Sequence, residues 1–266
     1  MPELPEVETI VRELRALISF EVFSEIKAIW PGSLVAEDDL LLEKKQIKNI
    51  GRRGKFIIFE LDRGYLLTHL RMTGQLIVQK SYPVDIKHLR VIFKFKSGKY
   101  LLFYDLRKFG RIYLTTQPEI VLQNIGIDAL DENFDLNYFR KLVKGKSTIV
   151  KSFLLDQKNI AGFGNIYIDE CLFQARIHPE TKLSNLSNIK IGRLYYESRQ
   201  VLLDAIGRMG TTISDYKTTG GGFGTNQNYL NVYQRKGLPC FKCKTIISKS
   251  RINGRGTHYC PKCQKK

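Results

Sequence analysis

The first residues of the chain place an amine next to a carboxylate. Met1 precedes Pro2 and Glu3, so removal of Met1 would leave a secondary amine on Pro2. A free α-amino group has a reference pKa of about 7.7 to 8.0, so a useful fraction is uncharged near neutral pH. When a proline amine attacks an aldehyde carbon it gives an iminium, which accepts electrons in later eliminations. These residues predict a nucleophile at Pro2, with Glu3 as a proton donor or acceptor.

The same residues also fit an ordinary helix start. Pro5 suits the first helical position, and Glu6 and Glu8 suit the positive end of the helix dipole. Apolar residues then recur at helical spacing up to Ile18. Taken alone, the segment favours the helix start over the nucleophile.

Four cysteines form two pairs near the carboxyl end: Cys240, Cys243, Cys260 and Cys263. Two Cys-x2-Cys units match a tetrahedral zinc site, and disulfides or an iron–sulfur centre fit this spacing less well. Four cysteines leave no open coordination position, so we predict one structural Zn²⁺. The segment between the pairs predicts a β-hairpin whose cations, Lys249, Arg251 and Arg255, would contact DNA.

The chain is strongly basic. Lysine and arginine total 43 against 26 acids, which gives a net charge of +17 and a pI near 9.6. Such charge is typical of nucleic-acid binders and also of proteins that bind anionic membranes. No run of about 18 apolar residues and no signal-peptide pattern occurs, so the sequence predicts a soluble, intracellular protein without a membrane partner.

The pattern along the chain predicts an α+β fold in three parts. Strand-like runs at 56–61, 65–70, 75–80, 89–96, 100–104 and 111–114 indicate an antiparallel sandwich or barrel. Helical runs follow at 136–143, 148–158, 166–175 and 188–208. We predict an N-terminal β domain with a flanking helix over 1–130, a helical domain over 131–226 and a zinc hairpin over 227–266.

Three loops carry further candidate residues. The runs from His69 to Gly74 and from Asp105 to Gly110 each combine a cation with a large apolar residue, Met72 or Phe109. In a DNA binder such residues can fill the space left by an extruded base, whereas in an ordinary domain they would be buried. The glycine turn before Asn165 opens a helix, and in an arbitrary protein it could equally only pack two helices. The net charge of +17 and the nearby Lys151 favour a phosphate site at this helix start.

As an ordered set these motifs resemble the bacterial formamidopyrimidine-DNA glycosylase family, which acts on 8-oxoguanine. The set comprises the first eight residues, Gly51 to Lys55, His69 to Met72, Asp105 to Gly110, Gly164 to Tyr167 and Gly254 to Cys263. The Leu4–Pro5 pair resembles the sequence of this branch rather than that of the related endonuclease VIII branch.

The resemblance implies a β-sandwich, a helix-two-turn-helix module and a zinc hairpin, with damaged double-stranded DNA held between the domains. It implies that Pro2 forms a Schiff base with the deoxyribose, that Glu3 is the general acid and base, that Lys55 assists β-elimination and that Arg255 serves δ-elimination. It also assigns DNA contacts to His88, Arg107, Lys146, Lys151, Asn165, Met72 and Phe109, and places Glu6 with residues 209–224 at the damaged base.

Three functions therefore remain open at this point. The first is a base-excision-repair glycosylase and AP lyase for oxidised purines. The second is an endonuclease VIII-like glycosylase for oxidised pyrimidines, and the third is a zinc-dependent DNA-binding protein without catalysis. The resemblance further implies a monomer in the bacterial cytoplasm, associated with the nucleoid through DNA.

Overall fold

The computed structural model describes residues 1–37, 41–213 and 216–266. The chain divides into two compact units. The first comprises Met1–Gln123 and Arg208–Gln227, and the second comprises Asn124–Gly207 and Asn228–Lys266. The segment after the long helix therefore belongs with the amino-terminal unit. The three-part division with bounds at 130 and 226 stays a prediction.

The first unit begins with helix α1, Leu4–Ile18. Glu3 is its N-cap, and Pro5 lies in the first turn, as the sequence predicts. The apolar stripe that includes Val7, Leu14 and Ile18 is fully buried. This stripe packs α1 against three strands of the β domain, so burial of one helix face fixes the helix start.

The remainder of the first unit is a β-sandwich, which confirms the predicted sandwich fold. Its strands are β1 Phe23–Ala28, β2 Leu34–Ala36, β3 Ile47–Arg53, β4 Phe56–Leu61, β5 Tyr65–His69, β6 Gly74–Gln79, β7 Leu89–Phe95, β8 Tyr100–Asp105 and β9 Arg111–Thr115. One sheet has the order β1-β7-β8-β6 and the other β2-β9-β5-β4-β3.

The inner faces of the two sheets supply one apolar core. Val91, Phe93 and Phe95 of β7 enter it from alternate positions of the strand. The outer face of β7, which the alternation predicts to be solvated, buries Ile92 in a smaller cluster with Leu102 of β8. Tyrosines on the same outer face pack against that cluster and exclude water from it.

The second unit is mainly helical. Helix α2, Pro118–Leu122, closes the amino-terminal segment of the first unit. The elements of the second unit are β10 Ile127–Asp128, α3 Leu136–Val143, α4 Val150–Leu155, β11 Ile160–Ala161, α5 Asn165–Gln174 and α6 Asn188–Gly207. The hairpin β12 Ser248–Ile252 and β13 Arg255–Tyr259 follows, with Ser248 opposite Tyr259. Among the described residues, no helix has the length and apolar character needed to cross a membrane.

Helix α4 is shorter than the predicted 148–158. Two side chains just beyond its end bond to its last carbonyl groups: Asn159 Nδ2 donates to Phe153 O, and Gln157 Nε2 donates to Leu155 O. These bonds replace the helical partners that the carbonyls would otherwise need, so the helix stops there.

Candidate functional site

Reciprocal capping fixes the amino terminus of the first unit. The backbone N–H of Glu3 donates to Glu6 Oε2 at 2.8 Å, and the Glu3 carboxylate accepts from the backbone N–H of Glu6. Pro2 and Glu3 are buried, whereas Met1 is 48% exposed. The helix start and the candidate nucleophile therefore occupy the same residues without conflict.

Glu6 has a second partner that the sequence did not indicate. Its Oε1 accepts from the backbone N–H of Thr211 at 2.7 Å. The carboxylate thus joins helix α1 to the segment after residue 208. This contact lies within the region assigned to the damaged base, of which residues 214 and 215 lie outside the described residues.

Lys55 lies in the two-residue turn between β3 and β4. Arg52, at the end of β3, bonds to Gly54 O at 3.0 Å and to Glu8 Oε2 of α1 at 3.2 Å. Burial alone would raise the pKa of Glu8, but the hydrogen bond from Arg12 and the charge of Arg52 hold the pKa below its ordinary value. This ion pair fixes the turn that carries Lys55 against the first half of the helix.

His69 at the end of β5 is a buried histidine between two cations. Its Nδ1 accepts from the Arg71 backbone N–H at 3.0 Å, and its ring meets the edge of Phe56. Burial, then the charges of Arg71 and Lys55, lower the His69 pKa to about 3. His69 is therefore neutral at physiological pH and serves as an acceptor that shapes the loop after β5.

Met72, Phe109 and Arg107, the candidates for filling the space of an extruded base, are all exposed. Met72 is 41% exposed and Phe109 is 54% exposed, so neither is the buried core residue of the ordinary interpretation. Arg107 Nη1 lies 3.5 Å from Met72 Sδ. The three residues lie on the two loops that follow β5 and β8, and we call them the loop cluster.

A buried carboxylate holds both loops of this cluster. Asp105, which is fully buried, accepts from the Thr73 hydroxyl, from the Arg107 backbone N–H at 3.2 Å and from the Gly110 backbone N–H at 2.7 Å. A Cβ on Gly110 would overlap the Phe103 ring, so this close approach requires glycine. Sequence reasoning quoted Asp105 only as part of a motif and missed its role as the anchor.

A cavity of 470 Å³ opens beside these loops in the first unit. The residues that line it include Gln75, His88, Tyr104, Leu106 and Lys217. His88, expected to contact DNA, is half-buried there with a φ of 65°. The cavity combines an apolar wall with amide, imidazole and ammonium groups, a composition suited to a heteroaromatic ring.

The second unit contains the cysteine cluster. Cys243 Sγ and Cys260 Sγ are 3.4 Å apart, Cys240 Sγ and Cys263 Sγ are 3.9 Å apart, and all four sulfurs lie within 4.8 Å of one another. A tetrahedral zinc with Zn–S bonds of about 2.3 Å requires sulfurs about 3.8 Å apart. The four cysteines therefore form a structural zinc site, as predicted.

Two further candidates meet at one carbonyl of the zinc hairpin, beside a third. Asn165 Nδ2 donates to Gly256 O at 2.8 Å, and Lys151 Nζ lies 3.4 Å from the same oxygen. Arg255, the preceding residue, is exposed. Lys151 itself is fully buried, with Nζ 2.6 Å from Asp169 Oδ1. Asn165 and Lys151 thus hold the backbone next to Arg255, while Arg255 is the one of the three whose side chain faces solvent.

Two adjacent carboxylates of α5 complete this arrangement, and the sequence analysis missed both. Asp169 Oδ2 accepts from the His258 backbone N–H at 2.8 Å. Glu170 accepts from the backbone N–H groups of Asn231, Val232 and Tyr233. Burial raises the pKa of Glu170, although these hydrogen bonds oppose the rise. The feature of the sequence that could have indicated them is a pair of adjacent acids within a mostly apolar helix.

Lys146 lies apart from that cluster, in the turn after α3. It is half-buried, with Nζ 5.9 Å from the centre of the Phe153 ring.

These features define a class: a basic, nucleic-acid-binding protein with a candidate covalent nucleophile at its amino terminus and a zinc-braced hairpin. Comparison with known proteins then identifies the family. Residues 1–112 match the formamidopyrimidine-DNA glycosylase N-terminal domain, 125–217 the H2TH domain and 237–266 the zinc finger found in FPG and IleRS.

Whole proteins and solved structures agree with the domain matches. The formamidopyrimidine-DNA glycosylase of Shouchella clausii is 39% identical over 273 residues, covering 99% of each chain. A Lactococcus lactis FPG mutant bound to Fapy-dG-containing DNA has a TM-score of 0.92 at 37% identity, covering both chains fully. MutM in complex with carbocyclic 8-oxo-G-containing DNA has a TM-score of 0.90 at 37% identity and the same coverage.

The chain belongs to the formamidopyrimidine-DNA glycosylase family, whose members are DNA glycosylases with AP-lyase activity.

Proposed function

We propose that this protein removes oxidised purines from duplex DNA and then cleaves the strand at the resulting abasic site. The observation that carries the proposal is the buried Pro2–Glu3 pair, held at the positive end of α1 by the reciprocal capping of Glu3 and Glu6. The helix dipole disfavours protonation of an amine at this end, which keeps a Pro2 amine nucleophilic once Met1 is removed.

The reaction proceeds through a covalent intermediate. The Pro2 nitrogen attacks C1′ of an extruded nucleotide, the C1′–N9 bond breaks, and the base leaves with the electron pair and a proton supplied through Glu3. Glu3 passes the N–H proton of Pro2 to O4′, the C1′–O4′ bond breaks, and the opened sugar carries an iminium between C1′ and the Pro2 nitrogen. This iminium acidifies the C2′ proton. Loss of that proton expels the 3′ phosphate, and a second elimination through C4′ expels the 5′ phosphate.

Other residues serve binding and the two eliminations. Lys55, fixed beside α1 through the Arg52–Glu8 ion pair, contacts a phosphate and assists β-elimination. Arg255, exposed on the zinc hairpin, binds phosphate and serves δ-elimination. Lys146 and Asn165 contact the backbone, and Lys151 supports them by holding Gly256. Met72, Arg107 and Phe109 fill the vacated stack, an assignment supported by their exposure and by the contact of Arg107 with Met72.

The 470 Å³ cavity is the proposed site of the damaged base. His88 lines it and lies close enough to the cluster around Asp105 for its carbonyl to accept from the Asp105 N–H at 2.9 Å. The relatives named formamidopyrimidine-DNA glycosylase, and the neighbours bound to Fapy-dG and 8-oxo-G, support purine lesions. Another Lactococcus lactis FPG neighbour is bound to DNA that contains an oxidised pyrimidine, so the substrate test compares both lesion types. We also propose that the protein acts as a monomer in the bacterial cytoplasm, which a sedimentation measurement and cell fractionation test.

The test uses two substrates and one variant. Matched duplexes carrying 8-oxoguanine or thymine glycol are incubated with native protein and with Glu3→Gln. We expect faster excision of 8-oxoguanine, and a loss of about 10²-fold or more in Glu3→Gln because a general acid is removed. Glu119→Gln, an exposed glutamate of α2, is the matched control. Preference for thymine glycol would favour the endonuclease VIII-like activity, and binding without scission would reject catalysis.

A further inference from the structure

The segment from residue 208 to residue 227, which we call the 208–227 loop, has a stem whose two arms are bonded together. Thr225 N donates to Arg208 O at 2.9 Å, and Asn226 N donates to Gly210 O at 3.1 Å. A Cβ on Gly224 would overlap the carbonyl oxygen of Gly210, so the arms touch at a glycine. The described part of the stem is therefore a fixed platform.

The tip of the loop is closed on itself. Thr218 N donates to Gly222 O, and Gly221 N donates to Thr218 O, each at 2.9 Å. These bonds make residues 218–222 a compact turn. Such a turn moves as one piece, so its position depends on the contacts that join it to the rest of the first unit.

Helix α1 supplies those contacts through two carboxylates. Glu6 accepts from Thr211 N on the first arm, and Glu13 Oε2 accepts from Thr219 N in the tip at 2.5 Å. Glu6 and Glu13 are seven residues apart, which places them on one face of the helix two turns apart. Tyr216 is buried in the core between these anchors, and burial followed by the charge of Glu6 raises its pKa.

The tip also forms part of the cavity wall. Lys217, two residues before Thr219, lines the 470 Å³ cavity together with sheet residues that include Gln75 and Tyr104. Thr219 is fully buried and Glu13 is half-buried, so the bond to this charged acceptor is partly shielded from water. The position of the Lys217 wall therefore depends on the bond between Glu13 and Thr219.

We propose that Glu13 is a positioning residue for recognition of the damaged base. It holds the tip of the 208–227 loop so that Lys217 closes the cavity around an extruded base. The inference rests on the proposed function, and it separates the two activities. Base excision needs the closed wall, whereas elimination at an abasic site has no base to enclose and depends on Pro2, Glu3 and Lys55.

Glu13→Ala and Glu13→Gln test the assignment. Single-turnover excision of 8-oxoguanine is compared with strand cleavage of a duplex that already contains an abasic site. Glu13→Ala is expected to slow excision by about tenfold, the loss of about one charge-assisted hydrogen bond, and to leave cleavage of the abasic duplex within about twofold. Glu13→Gln keeps an oxygen acceptor and is expected to restore most of the excision rate.

Glu119→Ala is the matched control, because Glu119 is an exposed glutamate of the same unit that lies in α2, outside the 208–227 loop and helix α1. Equal loss of both activities in Glu13→Ala, loss of neither, or a Gln variant as slow as the Ala variant would overturn the proposal. Retained abasic-site cleavage shows that a variant is folded. Absence of that cleavage in native protein would instead contradict the proposed function itself.

Discussion

His69 in the first unit and Lys151 in the second are both basic side chains that the fold buries, and the chain treats them in opposite ways. Lys151 is fully buried with its ammonium 2.6 Å from the Asp169 carboxylate. His69 lies between Lys55 and Arg71, and burial with these two charges lowers its pKa to about 3. The second unit keeps a buried charge by pairing it, and the first keeps its buried base neutral.

The difference follows from what each base supports. In the second unit the buried pair holds the zinc hairpin, because Lys151 and Asp169 both bond to its backbone. In the first unit the neutral imidazole accepts a backbone N–H and adds no charge beside the two neighbouring cations. We therefore expect loss of one charge or of the metal to destabilise the second unit more than the first. We expect acid to destabilise the first unit more than the second.

The largest effect expected is loss of the zinc site. Cys240→Ser removes one of four thiolates, and zinc contributes about 10–16 kcal/mol to the folding of zinc-finger peptides. We expect the variant to lose bound zinc and, because the hairpin presents Arg255, to bind abasic-site DNA at least about tenfold more weakly. Metal analysis and a binding titration measure both. Cys171→Ala, a buried cysteine outside the cluster, should keep the metal.

Asp169→Asn should be the most damaging single loss of charge. It leaves the buried Lys151 ammonium without its carboxylate, which costs about 3–5 kcal/mol in the free energy of unfolding. Urea unfolding measures this loss. Combining it with Lys151→Met removes the uncompensated charge, so the double variant should be more stable than Asp169→Asn alone. A double variant that is no more stable would contradict the paired-charge account.

Asp105→Ala should disturb the first unit by a smaller amount. The change removes the acceptor of the Gly110 and Arg107 backbone N–H groups, and unsatisfied buried donors cost about 1–3 kcal/mol each. We expect a loss of about 3 kcal/mol in unfolding free energy, with weaker binding of abasic-site DNA as the loops that carry Met72 and Phe109 loosen. Unchanged binding would show that Asp105 does not position the cluster.

The smallest effect concerns the acid response of the first unit. The folded pKa of His69, about 3, lies below the ordinary value of 6.5, so between these values the unfolded chain binds a proton that the folded chain does not. The folded state is therefore destabilised as pH falls below about 6.5. By pH 5 the loss in unfolding free energy amounts to about 2 kcal/mol.

His69→Asn keeps an acceptor for the Arg71 N–H and does not titrate in this range. The difference in unfolding free energy between pH 7 and pH 5 should shrink by about 2 kcal/mol in the variant, whatever its absolute stability. Urea midpoints at the two pH values provide the measurement. An equal difference in both proteins would mean that His69 is not buried neutral.

The sequence predicted most of the elements and the metal site, because each depends on local spacing. The spacing of the four cysteines indicates the metal site. The periodic apolar residues of α1 and of the strands around Phe93 indicate those elements. The anchors were not predictable in this way. Asp105, Asp169 and Glu13 each bond to residues far away in the chain, and a lone acid does not indicate which distant N–H it accepts.

The same reason separates the roles within the site. Exposure of Met72 and Phe109 depends on how two loops fold around Asp105. The motif alone therefore could not decide whether these two side chains are exposed or buried. From the sequence we expect Lys151 to be an accessible cation that contacts DNA. In the structure it is buried and paired with Asp169. Burial of a charge is decided by a partner eighteen residues away, beyond any local pattern.

The central claim is the covalent role of the Pro2 amine, and borohydride trapping tests it most directly. Protein whose intact mass shows loss of Met1 is incubated with an 8-oxoguanine duplex and reduced, alongside chains that retain Met1. The account predicts a covalent protein–DNA adduct mapping to Pro2 in the processed chains, and binding without an adduct where Met1 makes Pro2 an amide. No adduct from processed protein, or an adduct formed at another residue, would contradict it.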